Sequence, residues 1–178
     1  MLTLKGEKVY LRALEPDDLD FLYSVENDEE FWEVSCNSTP YSRFVLGQYL
    51  ENAHKDLYEV KQLRLVICEA GDDSPAGFID LFDFDPKHRR AALGIIVINK
   101  NSRKKGFGFE ALQLMCKYSF THLGLHQVYA HVGADNTSSK LLFEKAGFVC
   151  TGQKKDWIRV NGTYKDELIY QLIDKNVH

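Results

Sequence analysis

The sequence predicts a mixed α/β (α+β) fold, one sheet of parallel and antiparallel strands with helices against it, in the order β-α-α-β-β-β-α-β-α-β-β. Three observations predict it. Short apolar runs in the middle of the chain are joined by turns too short for parallel crossovers, so they form an antiparallel meander. A segment of helical period then separates two further strands, which makes those two parallel. The chain closes with two extended segments around Val160-Asn161-Gly162, where Asn-Gly favours a tight hairpin turn.

Val9-Tyr10-Leu11-Arg12-Ala13-Leu14 reads as the first strand. Pro16 opens a helix whose buried face is Leu19, Phe21, Leu22 and Val25. A second helix is expected from Tyr41-Ser42, with Phe44, Val45, Tyr49, Leu50 and Ala53 facing inward. Asp28 to Glu33 falls between the two helices as a loop carrying acids and an aromatic pair. Leu63 to Cys68 is a strand, and Gly71-Asp72-Asp73-Ser74-Pro75 is strong turn chemistry. Gly77 to Phe84 and Arg90 to Ile98 complete the meander. After Gly108, the positions Leu112, Met115/Cys116, Ser119/Phe120 and Leu123 recur at three- and four-residue spacing. Gln127 to Val132 returns as a strand, and Thr137 to Ala146 is a helix stopped by Gly147. Phe148 to Trp157 and Thr163 to Leu172 form the closing hairpin.

Composition bounds what the chain does. Its 178 residues, 44% hydrophobic and 27% charged, suit one globular domain with a substantial core, and no linker, repeat or low-complexity tract divides residues 1–178. A net charge of −4 argues against general attraction to nucleic acid or to an anionic membrane. No apolar run approaches the roughly 20 residues that span a bilayer, and Met1 to Glu7 lacks the apolar core of a signal peptide. Cys36, Cys68, Cys116 and Cys150 are widely spaced without a CxxC pair, and three of them sit in apolar patterns as small core residues. A reduced, cytoplasmic setting is the expectation. His126 and His131 straddle a strand with no Cys or carboxylate at ligand spacing, so they read as structural or surface histidines and no metal site is expected.

The most informative stretch is Arg103-Lys104-Lys105-Gly106-Phe107-Gly108-Phe109, between the apolar run Leu93 to Ile98 and a helix. Its two glycines let the backbone turn tightly, so that N–H groups converge on an anion at the positive end of the helix dipole. Three basic residues beside the turn add compensating charge. The segment reads as a pyrophosphate cradle. A Rossmann domain is excluded, because the meander precedes the glycine turn and no acidic ribose partner stands at the required spacing.

Arg103-x-x-Gly106-x-Gly108 resembles the Gln/Arg-x-x-Gly-x-Gly/Ala of the GNAT superfamily of N-acetyltransferases, although such a pattern also fits other nucleotide-binding loops. A second element is more telling. Asn136-Thr-Ser-Ser139-Lys-Leu-Leu-Phe143-Glu-Lys145-Ala-Gly147-Phe148 is similar to the family's Asn-x-x-Ala/Ser-x-x-Leu-Tyr-Glu-Lys-x-Gly-Phe, one helix and one strand downstream. The element order agrees as well, so the resemblance covers nearly the whole chain. Val160-Asn161-Gly162-Thr163-Tyr164-Lys165-Asp166 and His88-Arg89-Arg90-Ala91 resemble segments of the spermidine and ribosomal-protein N-terminal acetyltransferases.

The resemblance implies a GNAT-like acyl-CoA N-acyltransferase fold, a single N-acetyltransferase domain over residues 1–178, and acetyl-CoA as co-substrate. It places the pyrophosphate on the amides of Lys104 to Phe109, beside Arg103, and the pantetheine arm along the strand ending at Val97-Ile98. That arm fits only if the strand splays from its parallel neighbour. Asn136 is equally a helix N-cap and a cofactor contact, and Ser139 equally a backbone-bonding first-turn serine and a catalytic group. Lys140 and Lys145 stand as solvated residues that could approach the 3′-phosphate.

Acetyl transfer to an amine needs two proton events. An alkyl ammonium of pKa about 10.4 must lose a proton, and the departing thiolate, of thiol pKa about 8.5, is helped by an acid. Many relatives use a Tyr for that acid where this chain has Phe143. Ser139, a water or Tyr164 are the substitutes. For a base, Asp80, Asp83 and Glu33 are candidates, each weighed against an ordinary surface acid, and strand alternation puts Asp80 on the opposite face from Asp83 and Asp85. The acids and aromatics from Asp28 to Glu33 suit a cationic polyamine or diamine, by charge and by cation–π contact. Two alternatives stay open: acetylation of a protein or peptide N-terminus, and a CoA-binding sensor without turnover. A homo-oligomer is compatible with all three.

Overall fold

The computed structural model describes residues 4–98 and 105–175. β1 (Val9–Ala13) leads through a 3-10 turn (Pro16–Asp18) into α1 (Leu19–Glu26), α2 (Glu29–Ser35), α3 (Arg43–Glu51) and α4 (Leu57–Val60). The meander follows as β2 (Leu63–Glu69), β3 (Pro75–Asp85) and β4 (Arg90–Val97). α5 (Phe107–Thr121) crosses to β5 (Gln127–Gly133), and α6 (Thr137–Lys145) leads to the hairpin of β6 (Val149–Val160) and β7 (Thr163–Ile173). The seven strands form one sheet in the order β1-β2-β3-β4-β5-β7-β6. Among the described residues, only β4 and β5 pair in parallel. Among the described residues, no helix is long and apolar enough to cross a membrane.

Both faces of the sheet are covered. Ile67, Ile79, Leu81 and Leu93 meet Ala111, Leu112 and Met115 of α5 on one face, while Val66, Cys68 and Phe78 meet Leu22, Val25, Phe31 and Leu46 on the other. Each such side chain contributes about 1.5–3 kcal/mol on burial. Polar groups fix the joints. Arg12 holds Asp18 through two bonds of 2.8 Å, and the Glu15 amide donates to the same carboxylate at 2.7 Å. Glu110, in the first turn of α5, accepts from the amides of Glu7, Lys8 and Val9 at 3.1, 2.8 and 2.7 Å, which seats the start of β1 on that helix.

Four helices rather than two lie between β1 and β2. The stretch read as a loop contains α2, started by Asp28 accepting from the Glu30 amide at 3.0 Å. α4 starts in the same way, with Asp56 accepting from the Tyr58 amide at 2.7 Å. Helices this short carry too little period to be seen; their caps define them. In α3 the inward residue is Leu46, packed with Tyr49 and Leu50, whereas Phe44, Val45 and Ala53 are exposed, Ala53 lying beyond the end of the helix. The i, i+3, i+4 stripe starts at Leu46, two residues later than expected. Cys68 and Cys116 are buried, but Cys150 is exposed because β6 is an edge strand.

The parallel pairing determines the site. β4 and β5 pair only at Arg90–Gln127, Ala91–Val128 and Ala92–Tyr129. Beyond that, β4 stays with β3 as far as Val97 opposite Gly77, and β5 stays with β7 as far as Gly133 opposite Glu167. The two strands therefore splay, and the edge of β4 from Leu93 onward has no strand partner on the β5 side.

Candidate active site

The wedge between the splayed strands opens into a cavity of about 670 Å³. β4 contributes Leu93 to Ile96, β5 contributes His131 to Gly133, and α6 contributes Asn136, Ser139 and Phe143. The far wall comes from Asp80 to Asp83 of β3, Glu33 to Cys36 at the end of α2, and Lys154, Trp157 and Glu167 of the hairpin. α6 starts beyond the end of β5, so its N-terminal residues Asn136 and Ser139 border the wedge, while α5 starts further along the chain from β4.

At the start of α5, Gly106 is the N-cap with φ of +84°, a left-handed conformation that an L side chain rarely adopts. The first intrahelical bond runs from the Glu110 amide to the Gly106 carbonyl at 3.1 Å. The amides of Phe107, Gly108 and Phe109 therefore precede the ladder and have no intrahelical partner. A Cβ placed on Gly108 would lie 3.5 Å from Val97 Cγ2 and 3.6 Å from Leu142 Cδ2, so α5 packs closely on β4 and α6. Lys105 Nζ sits 3.3 Å from Glu69, and Lys145 Nζ lies 4.4 Å above the Phe109 ring, beside the same turn. Lys8, which the sequence did not single out, donates from Nζ to the Lys105 carbonyl at 3.0 Å. Ile98 donates its amide to the Ala76 carbonyl at 2.9 Å and so continues the β3 edge. Arg103 and Lys104 lie outside the described residues. A strand edge that has left its parallel neighbour from Leu93 to Ile96, leading to helix-start amides that precede the intrahelical ladder, fits a long ligand ending in phosphate, as acetyl-CoA does.

Asn136 caps α6, accepting from the Ser139 amide at 3.1 Å and from Ser138 Oγ at 3.2 Å, and it also borders the cavity. Lys140 donates to the Ala134 carbonyl at 2.8 Å. Phe143 packs edge-on to Phe148 with ring centres 5.0 Å apart. Tyr164 is 60% exposed on the hairpin and does not line the cavity.

The three acids differ in what they already hold. Asp80 takes Arg64 in two bonds, 2.6 Å from Nε and 2.9 Å from Nη2, and the same guanidinium also pairs with Glu26. Glu33 accepts from Lys165 at 2.9 Å, and Lys165 also reaches Asp135 at 2.7 Å, tying α2 to the turn before α6. Asp83 forms no hydrogen bond or ion pair among the described residues. It sits in a β-bulge with φ of +48°, where the β3–β4 register shifts between Phe82 and Asp85. That extra residue breaks the alternation, so Asp80 and Asp83 line one cavity instead of facing opposite ways.

His131 and Glu167 were not expected here. His131 Nδ1 lies 3.4 Å from Glu167, which also pairs with Lys154, and the His131 ring meets Tyr129 edge-on at 5.5 Å. Burial, helped by the Lys154 charge, holds the imidazole below its ordinary pKa, against the opposing pull of Glu167 and Asp83. Burial likewise raises the Tyr129 phenol. The available signal was alternation along β5, which puts His131 on the face of Tyr129. Only the splay turns that face into a cavity wall.

Comparison with known proteins agrees with this geometry. An acetyltransferase (GNAT) domain model matches residues 8–149. The spermidine N(1)-acetyltransferase of Vibrio cholerae serotype O1 is 31% identical over 161 residues, 90% of each chain. The structure of spermidine N-acetyltransferase from Vibrio cholerae in complex with CoA and spermine superposes with a TM-score of 0.84 at 28% identity, over 94% of this chain and 96% of that one. A dodecameric structure of the Vibrio cholerae enzyme gives 0.77 at 30% identity, over 94% and 95%. The chain therefore belongs to the GNAT acetyltransferase family, whose members transfer an acetyl group from acetyl-CoA to an amine.

Proposed function

We propose that this chain acetylates a primary amine of a polyamine or diamine, as one N-acetyltransferase domain spanning residues 1–178. One observation carries the reading. A single cavity joins the β4 edge from Leu93 to Ile96 and the start of α6 to an acid, Asp83, that pairs with no cation among the described residues. Acetyl-CoA supplies the activated acetyl group as a thioester. The amides of Phe107 to Phe109, with Arg103, Lys104, Lys105 and Gly106, would hold its pyrophosphate, and the β4 edge at Val97-Ile98 would lie along its arm. Asn136 and Ser139 stand at the start of α6 on the same cavity, where the Ser139 hydroxyl is the group available to meet the departing sulfur.

Asp83 would receive the acceptor's ammonium, since its carboxylate is free to bond. Glu33 is less suited to take a proton, because Lys165 already holds it, and Asp80 is committed to Arg64. The named activities of the Vibrio cholerae relatives support a polyamine over a peptide N-terminus. The dodecameric relative, with the exposed Phe44 and Val45 of α3, supports a homo-oligomer, and the four unpaired thiols support a cytoplasmic setting.

The test is thiol release from acetyl-CoA across spermidine, spermine, small diamines, amino acids and N-terminal peptides, with products identified by mass spectrometry. Turnover restricted to polyamines and diamines is expected. Turnover of peptides alone would transfer the reading to N-terminal acetylation, and binding of CoA without release would make the chain a sensor.

A further inference from the structure

We propose that His131, held by Glu167, is the base that takes the proton the acceptor ammonium must lose. The inference rests on the amine-acetyltransferase reading and names a group which that reading leaves unassigned.

Position is the first argument. His131 lies two residues beyond the last β4–β5 pair, so continuing the register brings it level with Gly94 across the wedge, and both residues line the cavity. A Cβ on Gly94 would meet the Phe82 ring at 3.4 Å, so the glycine lets Phe82 of β3 pack against β4 at this level. Phe143 removes the hydroxyl available elsewhere on this wall, and Asp80 and Glu33 are held by cations. Orientation is the second argument. Glu167, on β7, stands 3.4 Å from Nδ1 and so favours the proton on that nitrogen, which leaves Nε2 as the basic one. The other groups facing the ring are Lys154 of β6, Asp83 of β3 and Tyr129 of its own strand.

The charges fit the role. Burial and Lys154 keep the imidazole neutral at neutral pH, so it is free to accept. Once protonated, it is stabilised by Glu167 and Asp83. The step balances as R–NH3+ plus thioester giving amide, thiol and H+. One ammonium proton moves to Nε2, the freed nitrogen pair forms the C–N bond, and the C–S bond breaks with its pair on sulfur. Sulfur takes the second nitrogen proton, and His131 returns the first to solvent.

The experiment combines His131→Gln, Glu167→Gln and the wild-type enzyme. In the wild type, kcat/KM for the acceptor falls on the acid side with a midpoint below about 6.5. His131→Gln should lose that limb and lower kcat by on the order of 10²-fold, with the KM for acetyl-CoA unchanged. Glu167→Gln should keep the limb but move it to lower pH, because the anion that favours the imidazolium is gone. A His131→Gln enzyme with wild-type kcat and the same limb would overturn the proposal.

Titration of the histidine ring nitrogens by NMR separates this result from failure of the polyamine reading. If another amine proves to be the acceptor, the same profiles are run with it, and only the polyamine reading falls. Should no amine be turned over, a His131 ring with an ordinary pKa that Glu167→Gln does not move would overturn the arrangement.

Discussion

Asp83 occupies a left-handed bulge in the middle of an otherwise extended strand, a conformation costing of order 1 kcal/mol or more for a residue with a Cβ. The strain places a carboxylate in the cavity that pairs with no cation among the described residues. Losing one charge-assisted hydrogen bond to an ammonium costs about 1.5–3 kcal/mol. Asp83→Asn should therefore raise the amine KM roughly 10- to 100-fold and leave the KM for acetyl-CoA unchanged. Ser139→Ala should act on the other half of the reaction, lowering kcat about 2- to 10-fold with the amine KM intact. Steady-state kinetics with each substrate varied separates the two. The sequence reading named both residues, but it misjudged which face of β3 Asp83 shares, because regular alternation cannot anticipate a bulge. His131 reads in the sequence as a structural or surface histidine, and its place in the cavity comes from strands that separate rather than from its neighbours in the chain.

Among the elements, α5 was the most legible, since a glycine turn, basic residues and a long helical period coincide there. α2 and α4 were invisible, because seven and four residues leave no period to read and only their caps announce them. α5 also organises the fold through Glu110. Glu110→Ala would leave three amides of the β1 approach without an acceptor, a loss of about 1–3 kcal/mol. Hydrogen exchange should then show faster exchange at Lys8 and Val9 while the remaining strands stay protected. The β3–β4 pair depends on Gly77 by close approach. A Cβ there would lie 2.0 Å from the Ile96 carbonyl oxygen, a backbone atom with no room to give. Gly77→Ala should cost about 1–3 kcal/mol and lower Tm by roughly 2–12 °C. An unchanged melting curve would contradict this register.

Across the whole molecule, acid stability traces to carboxylates fixed at the joints. Burial opposes ionisation of Asp18, but Arg12 and the Glu15 amide outweigh it and hold the carboxyl below its ordinary value. A depressed carboxylate contributes stability that is present above the unfolded pKa near 3.9 and lost as pH falls through the folded value. Tm should therefore be level around neutrality and drop below about pH 4, and Asp18→Asn should lower the neutral plateau and shallow the acid drop. The order of strands and the parallel crossover were legible because period and connection length determine them. The splay that makes the cavity was expected only from the cofactor's need for room. The central claim is that this cavity joins an acetyl donor to a polyamine. Its most direct test is product analysis after incubation of the protein with acetyl-CoA and spermidine. The account predicts one thiol released for each acetyl group found on a primary amine of spermidine. Bound CoA with no thiol release for any polyamine or diamine would contradict it.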